Sequence, residues 1–221
     1  YIDGEILSEI DEDIRDDVIE ALEPEVLAEA VRELESDDVV DLIEGLEPDQ
    51  QESIIGALDV VDRIAVEQAL SYPESSAGRL MQREVVIAPE HWSVGDAIDH
   101  LRAHGDLPEQ FYHVILVDPR HRPSAYVTLG RLMSSRRDVK LADIVEDSFR
   151  TFDVTADEGD VAYAFNQYHL ISAPVVDEDG RLAGIITIDD AMGILDEEHE
   201  EDVLRLGGVG DESLSNSSLD I

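Results

Sequence analysis

"ISAPVVDEDGRLAGIITIDDAM", residues 171–192, is the stretch on which the fold turns. Two apolar runs flank "DEDG", a hairpin turn signal, and the second run passes straight into an acidic segment that reads as a helix. Upstream, "FRTFDV" (149–154) reads as a strand and "DEGDVAYAFNQY" (157–168) as a helix. The unit is therefore strand, helix, buried strand, and strand running into helix.

The same order occurs once before. "EVVIAP" (84–89) is a strand, "SVGDAIDHLRAH" (93–104) a helix opened by the cap Ser93, "YHVILVD" (112–118) a buried strand, and "SAYVTLGRLM" (124–133) a strand entering a helix. Gly95-Asp96 maps onto Gly159-Asp160 at an offset of 64, whereas Val117-Asp118 and Thr128 map onto Val176-Asp177 and Thr187 at 59. The first copy thus carries five extra residues, in "GDLPEQF".

A different repeat fills the first seventy residues. Ile10, Leu22, Leu34, Leu46, Leu58 and Leu70 stand twelve apart, and an acid follows each of the first five. Pro24 and Pro48 come next in "LEP" turns, while Ser36-Asp37 takes that place in "LESDD". Proline at a first helical position and Ser or Asp at a cap both start helices. Each period is then one short helix plus a turn, and only stacking of such helices buries their apolar faces. Between the two patterns, "SYPESSAGRLMQR" (71–83) reads as a connector.

Charge narrows the function. The 221 residues hold 54 acids against 15 bases, a formal charge of -39, so nucleic acid and anionic membranes are poor partners. Hydrophobic residues make up 43%, which suits a globular chain. There is no cysteine, hence no disulfide and no thiolate metal site. No apolar run reaches the roughly 18 residues of a membrane helix, and the start is neither a signal peptide nor a Met, so the chain is read as a soluble excerpt of something longer. A single lysine, Lys140, beside fourteen arginines gives the acidity an alternative reading as adaptation to concentrated salt.

Adaptation to salt does not explain clustering. "TIDDAMGILDEEHEED" (187–202) puts eight carboxylates into sixteen positions, and like charges four apart on a helix repel. Asp190, Glu197, Glu198, Glu201 and Asp202 share spacings of three, four or seven and can lie on one face. Residues 1–62 hold only two bases, Arg15 and Arg32, so the helical region meets like charge. Without cations two such surfaces repel over a Debye length of roughly 8 Å. Arginines elsewhere in the fold, a divalent cation held by carboxylate oxygens, or solvent at high salt could offset that repulsion.

The repeated unit with "GIITIDD" closing its hairpin resembles a tandem pair of CBS (cystathionine beta-synthase) domains. With the helical repeat and "YPESSAGRLM" before it and "DEEHEEDVLRLGGV" after it, the whole is similar to the cytosolic part of the MgtE-type magnesium transporters. The resemblance implies an α+β multidomain fold. Its parts are an N-terminal α-superhelical repeat domain (1–72), a connector (73–83), two α/β CBS domains (84–146 and 147–196), and the start of a connecting or plug helix with a tail (197–221). It also implies a homodimer formed through the CBS copies, a transmembrane pore domain of the same protein that is absent from this chain, and a place on the cytoplasmic face of the membrane.

The family's metal positions fall on Asp190, Glu198 and Glu201, with Asp202 beside them. A second joint, between superhelix and CBS domains, falls on Glu5, Asp37 and Asp41. Two acids of the family are replaced by Gly193 and His169, and a third falls on Gly159, flanked by Glu158 and Asp160. Asp160 is taken as the substitute, and fewer or rearranged ions are expected. Helix capping for Asp37 and a solvated face for Glu5 and Asp41 stay open as alternatives.

Mg²⁺ is the implied ligand, with Ca²⁺ or Mn²⁺ as substitutes. The other class of reading is an adenine-nucleotide sensor: in CBS pairs a Thr near the phosphates and an Asp three later on the ribose bind ATP, a pattern met by Thr187 and Asp190. The first copy has Thr128 followed by Arg131, and Thr187 with Asp190 is also an ordinary helix start. His100 and His104, four apart, read as an exposed polar face rather than a zinc pair. No phosphate-binding glycine loop or nucleophile elbow is present, so no enzyme is expected.

Overall fold

The computed structural model describes residues 6–7, 10, 12–22, 24–32, 34–44, 46, 48–103, 107–108 and 111–196. Among the described residues the twelve-residue period becomes five short helices: α1 (Glu12–Ala21), α2 (Pro24–Val31), α3 (Ser36–Glu44), α4 (Pro48–Ala57) and α5 (Val60–Leu70). Periodic leucines close the turns. The N–H groups of Leu22, Leu34 and Leu46 bond to carbonyls three residues back, at 3.3, 3.3 and 3.1 Å. Leu46 and Leu58 are buried, and Leu22, Leu34 and Leu70 pack against the same core, which includes Leu7, Ile19, Val31, Leu42, Ile43 and Ile54. Every helix contributes a stripe and none has a core of its own, as expected for a repeat.

The two α/β copies superpose in topology. In the first, β1 (Ile87–Pro89) runs parallel to β2 (His113–Val117), which pairs antiparallel with β3 (Pro123–Thr128). In the second, β4 (Phe152–Asp153), β5 (Ser172–Val176) and β6 (Leu182–Thr187) repeat that order. His113 faces Thr128 in one copy and Ser172 faces Thr187 in the other, an offset of 59. Each antiparallel ladder has a bulge at the same place, between Leu116 and Val117 and between Val175 and Val176. The leading strands are shorter than "EVVIAP" and "FRTFDV" predicted, because each pairs on one side only along three and two residues.

The hairpin turns match atom for atom. Asp118 accepts the N–H groups of Arg120 and Arg122, and Asp177 those of Asp179 and Arg181. Gly180 takes φ +74° in the second turn, and His121 holds the same place at φ +64°. Helix α7 (Val94–Ala103) begins at a reciprocal cap between Ser93 and Asp96, as its sequence predicted. Thr128 caps the short α8 (Leu129–Ser134), and Asp157 caps α9 (Glu158–Tyr168). After β6 the chain enters α10, helical over the described residues 188–196.

The segment before each copy packs into the other one. Ala77 and Met81, on and just after α6 (Ala77–Leu80), lie in the second copy's core with Phe165 and Ile186. Ala77 N–H bonds to Ala156 O and Gly78 N–H to Val154 O, both at 2.8 Å. Symmetrically, Leu141 and Ile144 lie in the first copy's core, with Leu141 N–H on Trp92 O at 3.0 Å. Part of what reads in sequence as connector is therefore core of the second copy. A fourth cluster, Ile115, Val117, Tyr126 and Ile185, joins the two sheets. Equivalent residues meet there too, as His113 Nδ1 is hydrogen-bonded to Ser172 Oγ.

Candidate functional site

Helix α3 lies against α6 and the end of the second copy, and a cavity of about 920 Å³ opens between them. Four of its walls' carboxylates come from α3: Asp37, Asp38, Asp41 and Glu44. Spacings of four and three put Asp37, Asp41 and Glu44 on one helix face. Glu74 comes from the connector, Glu158 from the start of α9, and Asp189 and Asp190 from the start of α10. Arg79 is the one base among the lining residues. Its guanidinium is spent on Glu44 and on the carbonyls of Leu70 and Tyr72, the latter two at 3.0 Å.

Two of these acids, Asp37 and Asp190, have their proton affinity raised. Burial, then the charge of Asp190, then that of Asp38 push the Asp37 carboxyl well above the usual carboxylate range, against the bond it accepts from Asp38 N–H. Burial also raises Asp190, although Thr187 lowers it in return. Thr187 Oγ1 donates to Asp190 Oδ2 at 2.6 Å, and Thr187 N–H reaches the same oxygen at 3.4 Å. Asp190 thus both accepts from Thr187 at the start of α10 and forms part of the cavity wall.

Of the metal residues expected from sequence, Asp37, Asp41 and Asp190 come together here. Asp41 also takes Arg15, whose buried guanidinium donates to it at 2.6 Å. Asp160 does not line the cavity: it lies exposed in the first turn of α9, and Glu158, at the start of that helix, lines it instead. Glu5, Glu198, Glu201 and Asp202 lie outside the described residues. Asp38, Glu44, Glu74 and Asp189 line the cavity without being among the metal positions that the sequence suggests. Glu44 was readable, being seven residues after Asp37 on the same face. Among the described residues no three acids or histidines converge tightly enough to hold an ion on their own.

The cleft between the two copies is the second candidate. It is lined by Gln82, Glu84, Phe111, Tyr112, His113, Ser172 and Thr187 among others, and holds about 10 Å³ of free space. Burial lowers the His113 pKa to about 4, so the ring is neutral at pH 7.

Residues 1–75 match the MgtE intracellular N domain, and residues 77–138 and 141–197 match the CBS domain. The chain belongs to the MgtE family. Over 152 residues it is 33% identical to the magnesium transporter MgtE of Thermus thermophilus, covering 69% of this chain and 34% of that protein. Over 154 residues it is 30% identical to the magnesium transporter MgtE of Enterococcus faecalis, covering 70% of this chain and 34% of the relative. The chain therefore spans about a third of the length of these curated relatives. Among solved structures, the cytosolic domain of the Mg²⁺ channel MgtE in complex with ATP matches with a TM-score of 0.80 at 29% identity, over 86% of this chain and 78% of that one. The soluble part of a magnesium transporter matches equally well, with a TM-score of 0.80 at 27% identity over 88% and 77%. The arrangement of an MgtE N domain on a tandem CBS pair is thus shared along most of the chain.

Proposed function

We propose that this chain is the Mg²⁺-sensing regulatory region of a magnesium channel or transporter, lying on the cytoplasmic face of the membrane. Its cavity between helical domain and second CBS copy is the ion joint. Divalent cations in that cavity favour a compact closed state, and their loss lets the acidic walls repel each other apart. Such a switch works only if the closed form binds ions better than the open one. Mg²⁺ suits it, because walls too wide apart for direct coordination can share an ion that keeps its waters. Ca²⁺ and Mn²⁺ would substitute with altered geometry. A homodimer through the CBS copies and a pore domain of the same protein complete the proposal, in which the chain binds and relays and performs no catalysis.

The observation that carries this reading is the eight-carboxylate wall, within which the charge of Asp190 acts on Asp37 from the other side of the domain boundary. Titration calorimetry with Mg²⁺ tests it. Saturable heat that Asp37→Asn weakens supports the joint, and heat unaffected by that change argues against it.

An adenine nucleotide is the second reading, supported by the ATP complex of a related cytosolic domain. The residues here fit it poorly as they stand. The Thr187 hydroxyl is committed to Asp190, and the cleft beside it has about 10 Å³ free. Nucleotide binding would require Phe111 and Tyr112 to move. ATP in the same calorimeter separates the readings, since tight binding indifferent to Mg²⁺ favours the second.

A further inference from the structure

Helix α3 carries half of the acidic wall, and its first turn is gripped by a residue 48 positions away in sequence. Ser36 is buried at the start of α3. Its Oγ donates to Glu84 Oε2 at 2.9 Å, and its N–H points at the same oxygen at 3.4 Å. The Arg83 N–H closes the ring, reaching Ser36 Oγ at 2.8 Å and Glu84 Oε2 at 3.0 Å. Glu84 thus places a carboxylate at the helix end where N–H groups lack partners and the helix dipole is positive. It caps α3 from the far side of the domain boundary.

We propose that the Ser36–Glu84 contact is a cation-independent latch, with Glu84 the positioning residue that fixes the first turn of α3 against the CBS pair. The proposal rests on the ion-joint reading above and adds its pivot. Nothing in the contact requires an ion, and its geometry holds one end of the acidic wall in place while charges along the rest of α3 repel. Opening is then a rotation of the helical domain about Ser36, not a detachment. Asp37 and Asp38 directly follow Ser36 in the same turn, so this contact bears on their spacing from Asp190, while the Glu44–Arg79 pair holds the other end of α3.

The test uses the 221-residue chain with Ser36→Ala, Glu84→Ala, both together, and Glu84→Gln. Two quantities are read: the Mg²⁺ concentration for half-maximal compaction by small-angle scattering, and amide exchange of residues 36–39 in magnesium-free buffer. Each alanine variant is expected to raise the half-point about tenfold, the factor carried by one hydrogen bond to a charged group, and to speed exchange. The double variant should be no worse than either single one, because both remove the same contact. Glu84→Gln keeps an acceptor and should stay within about twofold of the parent. If Glu84→Gln and Glu84→Ala both lower the half-point, Glu84 is merely one more repelling charge and the latch is wrong. Unchanged half-point and exchange in the alanine variants also overturn it. If the parent chain does not compact with Mg²⁺, the ion joint fails, and the latch then stands or falls on exchange alone. Should Ser36→Ala lose its helical circular dichroism, Glu84→Ala against Glu84→Gln gives the same comparison.

Discussion

Asp190 raises the proton affinity of Asp37 from the opposite side of the domain boundary, with burial as the only stronger cause. The two carboxylates belong to different folding units, so their repulsion acts on how the units sit together. Asp37→Asn keeps shape and removes that repulsion. In magnesium-free, low-salt buffer it should raise the thermal midpoint by about 2–4 °C, the shift that 1 kcal/mol gives in a chain of this size. The further gain on adding Mg²⁺ should shrink. A lower midpoint than the parent would show that Asp37 is held by something other than like charge.

Asp41→Asn should act in the opposite direction. Asp41 holds the buried Arg15 at 2.6 Å, and losing a charged partner of a buried group costs about 1–3 kcal/mol. Thermal denaturation should show the helical domain melting earlier, with the CBS pair unaffected. An Asp41 variant as stable as Asp37→Asn would mean the ion pair contributes nothing.

pH separates the joint from the CBS pair by sign. His113 has its pKa lowered by burial to about 4 against 6.5 for an exposed histidine, so the unfolded chain takes up its proton first. The stability contributed by the neutral ring is complete above pH 6.5 and falls as pH drops toward 4. Asp37 is raised, so it favours the docked state when protonated and opposes it as pH rises through its folded pKa. His113→Gln should flatten the loss of CBS-pair stability between pH 6.5 and 4, measured by thermal scans at a series of pH values. An unchanged slope would locate the titration elsewhere.

Gly78 tests the packing of the connector. A Cβ there would stand 2.6 Å from the Tyr72 ring and 2.8 Å from the Val154 carbonyl oxygen, while at Gly56 it would meet nothing within 4 Å. Gly78→Ala should therefore cost about 1–3 kcal/mol by overpacking. Gly56→Ala, within α4, should gain roughly 0.5–1 kcal/mol. Chemical denaturation reads both, and equal effects would mean the connector does not pack as described.

Much of this architecture is legible in the chain. The twelve-residue spacing places the five described helices because each period must bury its own leucine, and the offsets of 64 and 59 reproduce the sheet register and even the His121 and Gly180 turns. What the sequence concealed is long-range. "AGRLM" looks like a linker by composition, yet Ala77 and Met81 fill the second copy's core, which local periodicity cannot show. The acidic cavity is partly legible: the family resemblance points to Asp37, Asp41 and Asp190, whereas Glu74 and Asp189 have no spacing signal and are recruited only by tertiary approach. Glu158 and Asp160 both flank Gly159 in sequence, and of the two only Glu158 lines the cavity.

The most direct check on the account is the radius of gyration of the purified chain as Mg²⁺ is titrated at fixed ionic strength. Bridging of the acidic cavity predicts a saturable contraction that Asp37→Asn and Asp190→Asn blunt. The same curve in Mg²⁺ as in KCl of equal ionic strength would contradict it.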